Sequence, residues 1–289
     1  MRRSTSVPDG MRRSRLGLLV TLGPVTLFYL AFLLVPYALI LRLSLFRYSA
    51  MQLYIPEFTL ANYASVVSDP FYLLLMARTV GLGVLITAVC LVLGYPLALT
   101  IARARPVLKS ALIAATLSPL LINLVVRTYA WLVLLGDTGV VNRWLQDLGV
   151  IGAPLPLSGN TFAVVVGLVH ICLPLMALSL IGVIERIDPA LLDAASSLGA
   201  SRGRVLARVV MPLSLPGVGA GSLLVFSFAV SAFVTPSLLG GNRVTTVATL
   251  IYEKFTFSAN WPVGATLVMV LLVINLLVVA LHARLFREA

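Results

Sequence analysis

Long apolar runs alternate with short polar connections along this chain. Six runs are apolar over about the twenty residues a helix needs to cross a hydrocarbon core, at about 16–41, 79–102, 107–126, 161–184, 213–234 and 263–283. Helices are the economical solution there, because in lipid every backbone N–H and C=O must be paired inside the segment. The pattern predicts an all-α integral membrane protein with six transmembrane helices. One membrane domain accounts for residues 1–289, with no repeat, low-complexity tract or separate soluble domain. The first run has arginines before it, as a signal peptide would. It extends to Leu41, well past the roughly 7–15 residues of a signal-peptide core, and no small-x-small cleavage site closes it. It is expected to be a retained helix.

The polar insert at 185–212, between the fourth and fifth runs, has its own pattern. Asp188-Pro189 is a helix start, with Asp as N-cap and Pro at the first helical position. Leu191, Leu192, Ala195 and Leu198 recur near helical spacing as an apolar stripe. Gly199 suits the left-handed position that ends a helix. Ser201 can cap a second helix, whose apolar side is Val205, Leu206, Val209 and Val210 and which Pro212 is expected to break. The prediction is a helix-turn-helix with Arg202, Arg204 and Arg208 on one edge and small residues around the turn. Small side chains would let another protein's groove come close to the backbone. The pattern alone leaves two readings open: a docking element, or a pair of interfacial helices with snorkelling arginines.

The opposite connections are longer and turn-rich. Arg42–Arg78 contains Pro56 and Asp69-Pro70, and Asp137–Asn160 contains an amphipathic stretch at 140–148 with Trp144 as an interfacial anchor. Short helices lying along the membrane surface are expected in both.

Composition sharpens this picture. The chain is 60% hydrophobic and 11% charged, against roughly 25% charged in soluble domains, so it cannot cover a water-facing surface. The mean hydropathy of +1.05 agrees. A net charge of +11 could suggest nucleic acid. The basic residues instead sit in short clusters beside the apolar runs, so lipid is the expected contact and nucleic acid is not. With the N-terminus inside, fourteen Lys and Arg fall in inner segments and five in outer ones, with Arg78 and Arg127 at helix margins. The positive-inside rule then places both termini and the insert in the cytoplasm.

The two cysteines, Cys90 and Cys172, lie inside apolar runs without a CxxC partner or a histidine at ligand spacing. They are expected to pack as small apolar residues. Neither Lys109 nor Lys254 sits in a Gly-x4-Gly-Lys-Ser/Thr loop, so the chain carries no phosphate-binding ATPase motif. No Ser-His-Asp or paired-carboxylate set is present either. The chain is expected to be no enzyme and to bind no cofactor, and a transport function would need energy from elsewhere. Within the spans, Arg127 is expected to snorkel at the outer interface and His170 to be a hydrogen-bonded packing residue. Asn123 and Asn275 are expected to bridge helices, and Gly217-x3-Gly221 to mark close packing, with a partner subunit as one option.

The spacing Asp193-Ala-Ala, three residues, Gly199, nine residues, Val209-x-Met211-Pro212 resembles the E-A-A-x3-G-x9-I-x-L-P loop of bacterial ABC importer permeases. Asp193, Val209 and Met211 are conservative replacements. Further resemblance to the spermidine/putrescine class lies in Phe58-Thr-Leu-Ala-Asn-Tyr63, Leu124-Val-Val-Arg-Thr-Tyr-Ala-Trp131 with Gly139-Val-Val-Asn142, Phe233-Val-Thr-Pro-Ser-Leu-Leu-Gly-Gly241 and Asn260-Trp-Pro262. That class often has an acidic residue just before the Phe-Val-Thr-Pro run, where this chain has Ser231-Ala232.

The resemblance implies a type I importer permease in the bacterial inner membrane. Its partners would be a cytoplasmic ATPase dimer carrying ATP and Mg, a second permease subunit and an extracytoplasmic solute-binding protein. It implies ATPase coupling through Asp193, Ala194, Ala195, Gly199, Ala200, Arg204 and Pro212. A pathway or outer gate would involve Arg127, Tyr129, Trp131, Phe233, Thr235 and Pro236, although Phe233–Gly241 also fits an ordinary helix-ending turn. A polyamine-like solute comes first, with organophosphonate, opine or ferric ion as alternatives. An ion-coupled carrier or channel would call for intramembrane carboxylates and an inverted repeat, and neither is apparent. A scaffold without transport would leave the glycine turn tolerant of substitution.

Overall fold

The computed structural model describes residues 9–285; Arg2, Arg3 and Arg287, counted above among the inner charges, lie outside them. Helix α1 (Asp9–Ser44) leads into a hairpin of β1 (Phe46–Ser49) and β2 (Leu53–Phe58), then α2 (Ala61–Ser68) and α3 (Pro70–Ala102). The hairpin departs from the expected surface helices. Its antiparallel pairing places Phe46 against Phe58 and Tyr48 against Tyr54. The Phe46 ring stacks on Tyr54 at 5.5 Å, and cross-strand aromatic pairs of this kind hold a short ribbon together.

The second span also starts earlier than expected. Asp69 Oδ1 accepts the Phe71 N–H at 2.8 Å, and Pro70 occupies the first helical position. Arg78 therefore lies inside α3, not at its edge.

The third apolar run is not one helix. Helix α4 (Pro106–Leu121) stops, and α5 (Leu124–Leu135) restarts after a two-residue break, followed by α6 (Val140–Asp147). Asn123 causes the restart: its Oδ1 accepts the Val125 N–H at 2.9 Å. It is thus an N-cap and not the expected interhelical bridge. The structure continues with α7 (Thr161–Ile184), α8 (Pro189–Ser197), α9 (Arg202–Val205), a π-turn at Leu206–Val210, α10 (Met211–Leu213) and α11 (Leu215–Ser231). Helix α12 (Val234–Leu239), a 3-10 turn at Gly241–Arg243, α13 (Val247–Thr256) and α14 (Trp261–Leu285) complete the order.

Among the described residues five helices are long and apolar enough to cross a membrane. They become six if the segments Arg202–Leu213 and Leu215–Ser231, bent by 64°, form one span. Pro212 does not break the second insert helix as expected. It sits near the start of α10, and the bend falls at Ser214.

Helices α3, α7 and α11 pack on one another around fully buried Ile86, Leu168, Met176, Leu180 and Val225. Cys90 and Cys172 are both buried and unpaired there, as expected. The Gly217-x3-Gly221 pair is filled from within the chain. A Cβ at Gly217 would lie 3.0 Å from the Ser179 carbonyl, and one at Gly221 2.7 Å from Met176 Sδ. These glycines let α11 close on α7, so no partner subunit is needed to explain them. Helix α1 packs on α14 and leaves Leu27, Phe28, Phe32 and Leu33 exposed.

Candidate functional site

Two regions carry the residues singled out from the sequence. The first is the insert. Asp188 Oδ1 accepts the Ala190 N–H at 2.9 Å, which starts α8 as expected. At its far end Gly199 adopts φ +80°. The Gly199 N–H donates to Ser196 O at 2.9 Å and the Ala200 N–H to Ala195 O at 3.1 Å. Those two bonds form a Schellman motif, which satisfies carbonyls left open by the end of the helix. Ser201 precedes α9 but makes no side-chain capping bond.

No residue of α8 is buried. Asp193, Ala194, Gly199 and Arg204 are exposed, while Ala195 and Ala200 are half-buried. Leu198, in the apolar stripe, is 89% exposed, and Leu191 is 49% exposed. The stripe is therefore only partly covered within the chain: Leu192 and Ala195 are half-buried, whereas Leu191 and Leu198 stay open. Val205 and Val210 turn inward and are buried.

The insert is tied to the bundle at two points. Lys109 Nζ reaches Glu185 Oε1 at 2.8 Å, joining the start of α4 to the end of α7. Ser214, fully buried, donates to the Met211 carbonyl at 3.0 Å. Its oxygen is 2.8 Å from Tyr95 Oη. With the Ser214 proton committed, Tyr95 is the donor, so the bend is pinned to α3.

The second region is the opposite end of the bundle. Thr235 and Pro236 of α12 are buried against α7. A Cβ at Gly167 would meet Leu239 Cδ1 at 2.6 Å and Thr235 Cγ2 at 2.8 Å, so this glycine is what lets α12 seat. Phe233 immediately precedes α12, and its ring lies 4.5 Å from that of Tyr252. Tyr252 in turn meets Phe257 edge-on at 6.0 Å. With Glu253 and Thr249 these rings line a cavity of about 570 Å³. Tyr252, Glu253 and Phe257 were not singled out from the sequence. The run Ile251-Tyr-Glu-Lys-Phe-Thr-Phe257, aromatic and acidic beside a turn, was the available signal.

The other outer candidates separate from this cavity. Arg127 does not snorkel: it is 6% exposed, and its Nη1 donates to the Pro119 carbonyl. That carbonyl is left without a helical partner where α4 ends, and a cation suits the C-terminus of a helix. Trp131 Nε1 donates to His170 Nδ1 at 2.9 Å, which makes His170 the hydrogen-bonded packing residue expected. Tyr129 is exposed on α5. Asn275 Oδ1 is buried and has no hydrogen-bond partner among the described residues.

Two sequence runs prove to be structural locks. Asn62 Nδ2 donates to the Ser44 and Phe46 carbonyls, each at 2.8 Å. Asn142 exchanges hydrogen bonds with the Leu155 backbone and also donates to the Gly136 carbonyl at 3.1 Å.

Comparison with known proteins agrees with this architecture. The family described as binding-protein-dependent transport system inner membrane component matches residues 28–288. The spermidine/putrescine transport system permease protein PotB of Haemophilus influenzae is 32% identical over 92% of this chain and 92% of its own. The PotB protein of Escherichia coli K12 is 34% identical over 78% of this chain and 82% of its own. A solved bacterial alginate ABC transporter, in complex with an alginate pentasaccharide-bound periplasmic protein, matches with a TM-score of 0.75 at 17% identity. It covers 97% of this chain and 96% of that one, and shares its fold. A bent-helix bundle with an open polar insert and a family match over nearly its whole length make this chain a member of the binding-protein-dependent transport system inner membrane components, the multi-pass permeases of ABC importers.

Proposed function

We propose that the α8–Gly199–α9 insert is the element through which a separate cytoplasmic ATPase dimer drives this permease. The observation that carries the reading is an apolar helix stripe left open at Leu191 and Leu198 beside a tightly capped turn. Leu198 at 89% exposure and an open space around Gly199 suit a groove that closes on the backbone. ATP and Mg would be held by the ATPase, this chain supplying only the docking surface. Both termini and the insert would then face the cytoplasm, as the charge bias favours. The bend at Ser214 and its Tyr95 tether would pass motion of the insert to α11 and α3. Asp193, Ala194, Ala195, Gly199, Ala200, Arg204 and Pro212 are the proposed coupling residues.

At the outer end, Phe233, Tyr252, Phe257 and Glu253 suit a small amine-bearing solute. Aromatic faces attract ammonium groups by about 0.5–2 kcal/mol each, and a carboxylate adds direct charge pairing. This supports a polyamine-like solute, in keeping with the PotB relatives, and Glu253 supplies an acidic group that Ser231-Ala232 lacks. A second permease subunit and a solute-binding protein complete the proposed assembly, a periplasmic protein being present in the alginate transporter complex.

The test has two parts. The tagged chain purified from its native host in mild detergent should bring an ATPase with it, and recovery without one would sink the coupling reading. Proteoliposomes of the complete transporter should take up labelled putrescine or spermidine on ATP addition. In them Glu253→Gln should reduce uptake while ATPase recovery is unchanged. Equal uptake by wild type and Glu253→Gln would overturn the solute reading alone.

A further inference from the structure

A second cavity, of about 530 Å³, lies between α3 and the connection leading into α13. Its chemistry is opposite to that of the aromatic one. Arg78 and Arg243 both line it, Thr161 and Thr245 add hydroxyls, and no carboxylate does. Several other arginines expected outside are engaged. Arg47 pairs with Glu57 at 3.5 Å, Arg42 lies 5.4 Å from the centre of the Phe46 ring, and Arg127 caps α4. Among the described residues Arg78 and Arg243 have neither an ion pair nor a hydrogen-bonded side chain. These two exposed guanidinium groups, free of protein partners among the described residues, thus share one hollow.

The hollow is also held in shape. The Val247 N–H donates to Thr79 Oγ1 at 3.1 Å, pinning the start of α13 to the turn of α3 beside Arg78. Thr246 and Thr249 cap each other's backbone there. Below the arginines the wall is apolar, with Leu82 and Leu85, and Gly81 leaves a notch in it.

Depth then indicates what fills it. Arg78 is twenty-four residues before Ala102, the end of α3, which at a 1.5 Å rise is about 36 Å. That is slightly more than the roughly 30 Å hydrocarbon thickness. With the cytoplasmic end of α3 at one boundary, Arg78 sits at the opposite headgroup level. Leu82 and Leu85 then lie about 6–10 Å deeper, at acyl-chain level. Paired arginines suit phosphate oxygens because their planar forks bind two oxygens at once.

We propose that this cavity is a phosphate-type oxyanion site filled by the headgroup of an outer-leaflet phospholipid, Arg78 and Arg243 holding the phosphate and Leu82 and Leu85 the first methylenes. The depth argument rests on the outward orientation proposed above, whereas the ligand is independent of the transported solute.

The experiment uses the complete transporter, delipidated in detergent, reloaded with phosphatidylglycerol and examined by native mass spectrometry. Wild type should retain bound phospholipid. The double variant Arg78→Gln/Arg243→Gln should retain it about thirtyfold more weakly, from roughly 1 kcal/mol per basic side chain near a lipid surface. Arg78→Lys/Arg243→Lys should recover most of the binding, and Gly81→Leu should displace lipid by filling the notch while keeping both charges. Arg47→Gln/Arg143→Gln, the same charge loss elsewhere, should change nothing.

Retention unaltered in both the Gln pair and Gly81→Leu would overturn the site, as would an equal loss in the Arg47/Arg143 control. Displacement of the lipid by excess inorganic phosphate would keep the oxyanion site and overturn the lipid as its source. Variants that hold lipid normally but bind the solute-binding protein less tightly would assign the arginines to a protein carboxylate and overturn the proposal. Loss of ATPase recovery without loss of lipid would count against the coupling reading alone.

Discussion

Arg127 and Gly199 show how differently single residues act in this chain. Arg127 is a charge in an apolar setting, and its guanidinium answers a carbonyl that the break after α4 strands. Removing it should leave the half-buried Pro119 carbonyl unpaired, at a cost of about 1 kcal/mol. Arg127→Leu is therefore expected to lower the unfolding midpoint in detergent while uptake per folded molecule stays within about twofold, as a capping role and not a pathway role demands. Gly199 is the reverse case, structurally undemanding apart from its φ of +80°. Nothing lies within 4 Å of a Cβ placed there, so Gly199→Ala adds only backbone strain, about 1–2 kcal/mol confined to the turn. Expression should be normal and ATP-driven uptake impaired. Gly199→Asn, which tolerates the left-handed region, should fall between the two. Gly203→Ala, at a glycine outside the positive-φ set, should behave as wild type. Full uptake by Gly199→Arg at normal expression would end the coupling reading for this turn.

Among the elements, the close fit of helices around α7 decides stability, and the tethers around the insert decide how it can move. At Gly167 the approach of α12 is so close that a larger side chain must push it away. Gly167→Val is expected to cost about 1–3 kcal/mol by overpacking, seen as a lower thermal midpoint, and to disturb the neighbouring Phe233–Tyr252 contact. Lys109 and Glu185 join α4 to α7 where the insert begins, with side chains 32% and 30% exposed. Partial exposure keeps such a pair modest, about 0.5–1 kcal/mol. Lys109→Glu and Glu185→Lys should each destabilise, and the double exchange should restore most of the loss in a thermal-melt cycle. A cycle with no coupling would show the contact to be idle. Much at this scale was legible from local chemistry. Asp188-Pro189, Gly199 and the amphipathic stretch of α6 each carry their signal within a few residues. The break at Asn123 and the hairpin at Phe46–Phe58 were harder to see. An asparagine inside an apolar run is equally able to cap or to bridge, and the hairpin depends on aromatic pairs that meet only across the turn.

For the whole molecule, two cavities of contrasting chemistry lie on either side of the Arg243–Thr246 connection. Val244 and Thr245 line both. One combines aromatic faces with Glu253, and the other pairs Arg78 with Arg243. An amine entering the first would be attracted there and repelled from the second, so on the proposed assignments the connection would separate solute chemistry from lipid chemistry. Glu253→Arg should therefore abolish uptake of putrescine while leaving phospholipid retention unchanged. A loss of both would show that the two hollows act as one site.

Hydropathy period and charge pattern determined a great deal without any structure: helical membrane spans and a polar insert between the fourth and fifth, whose spacing around Gly199 resembles that of importer permeases. These follow from interactions within a few turns of helix or with the solvent, so a linear pattern carries them. Only the tertiary structure decided that Arg127 caps α4, that Gly217 and Gly221 pack inward on α7, and that the fifth span is bent at a serine held by Tyr95. It also brought Phe233 to Tyr252, Glu253 and Phe257, and Arg78 to Arg243 across more than 160 residues of chain. Long-range partners meet only when α3, α7 and α11 have packed, and no local pattern records which side chains that packing will bring face to face.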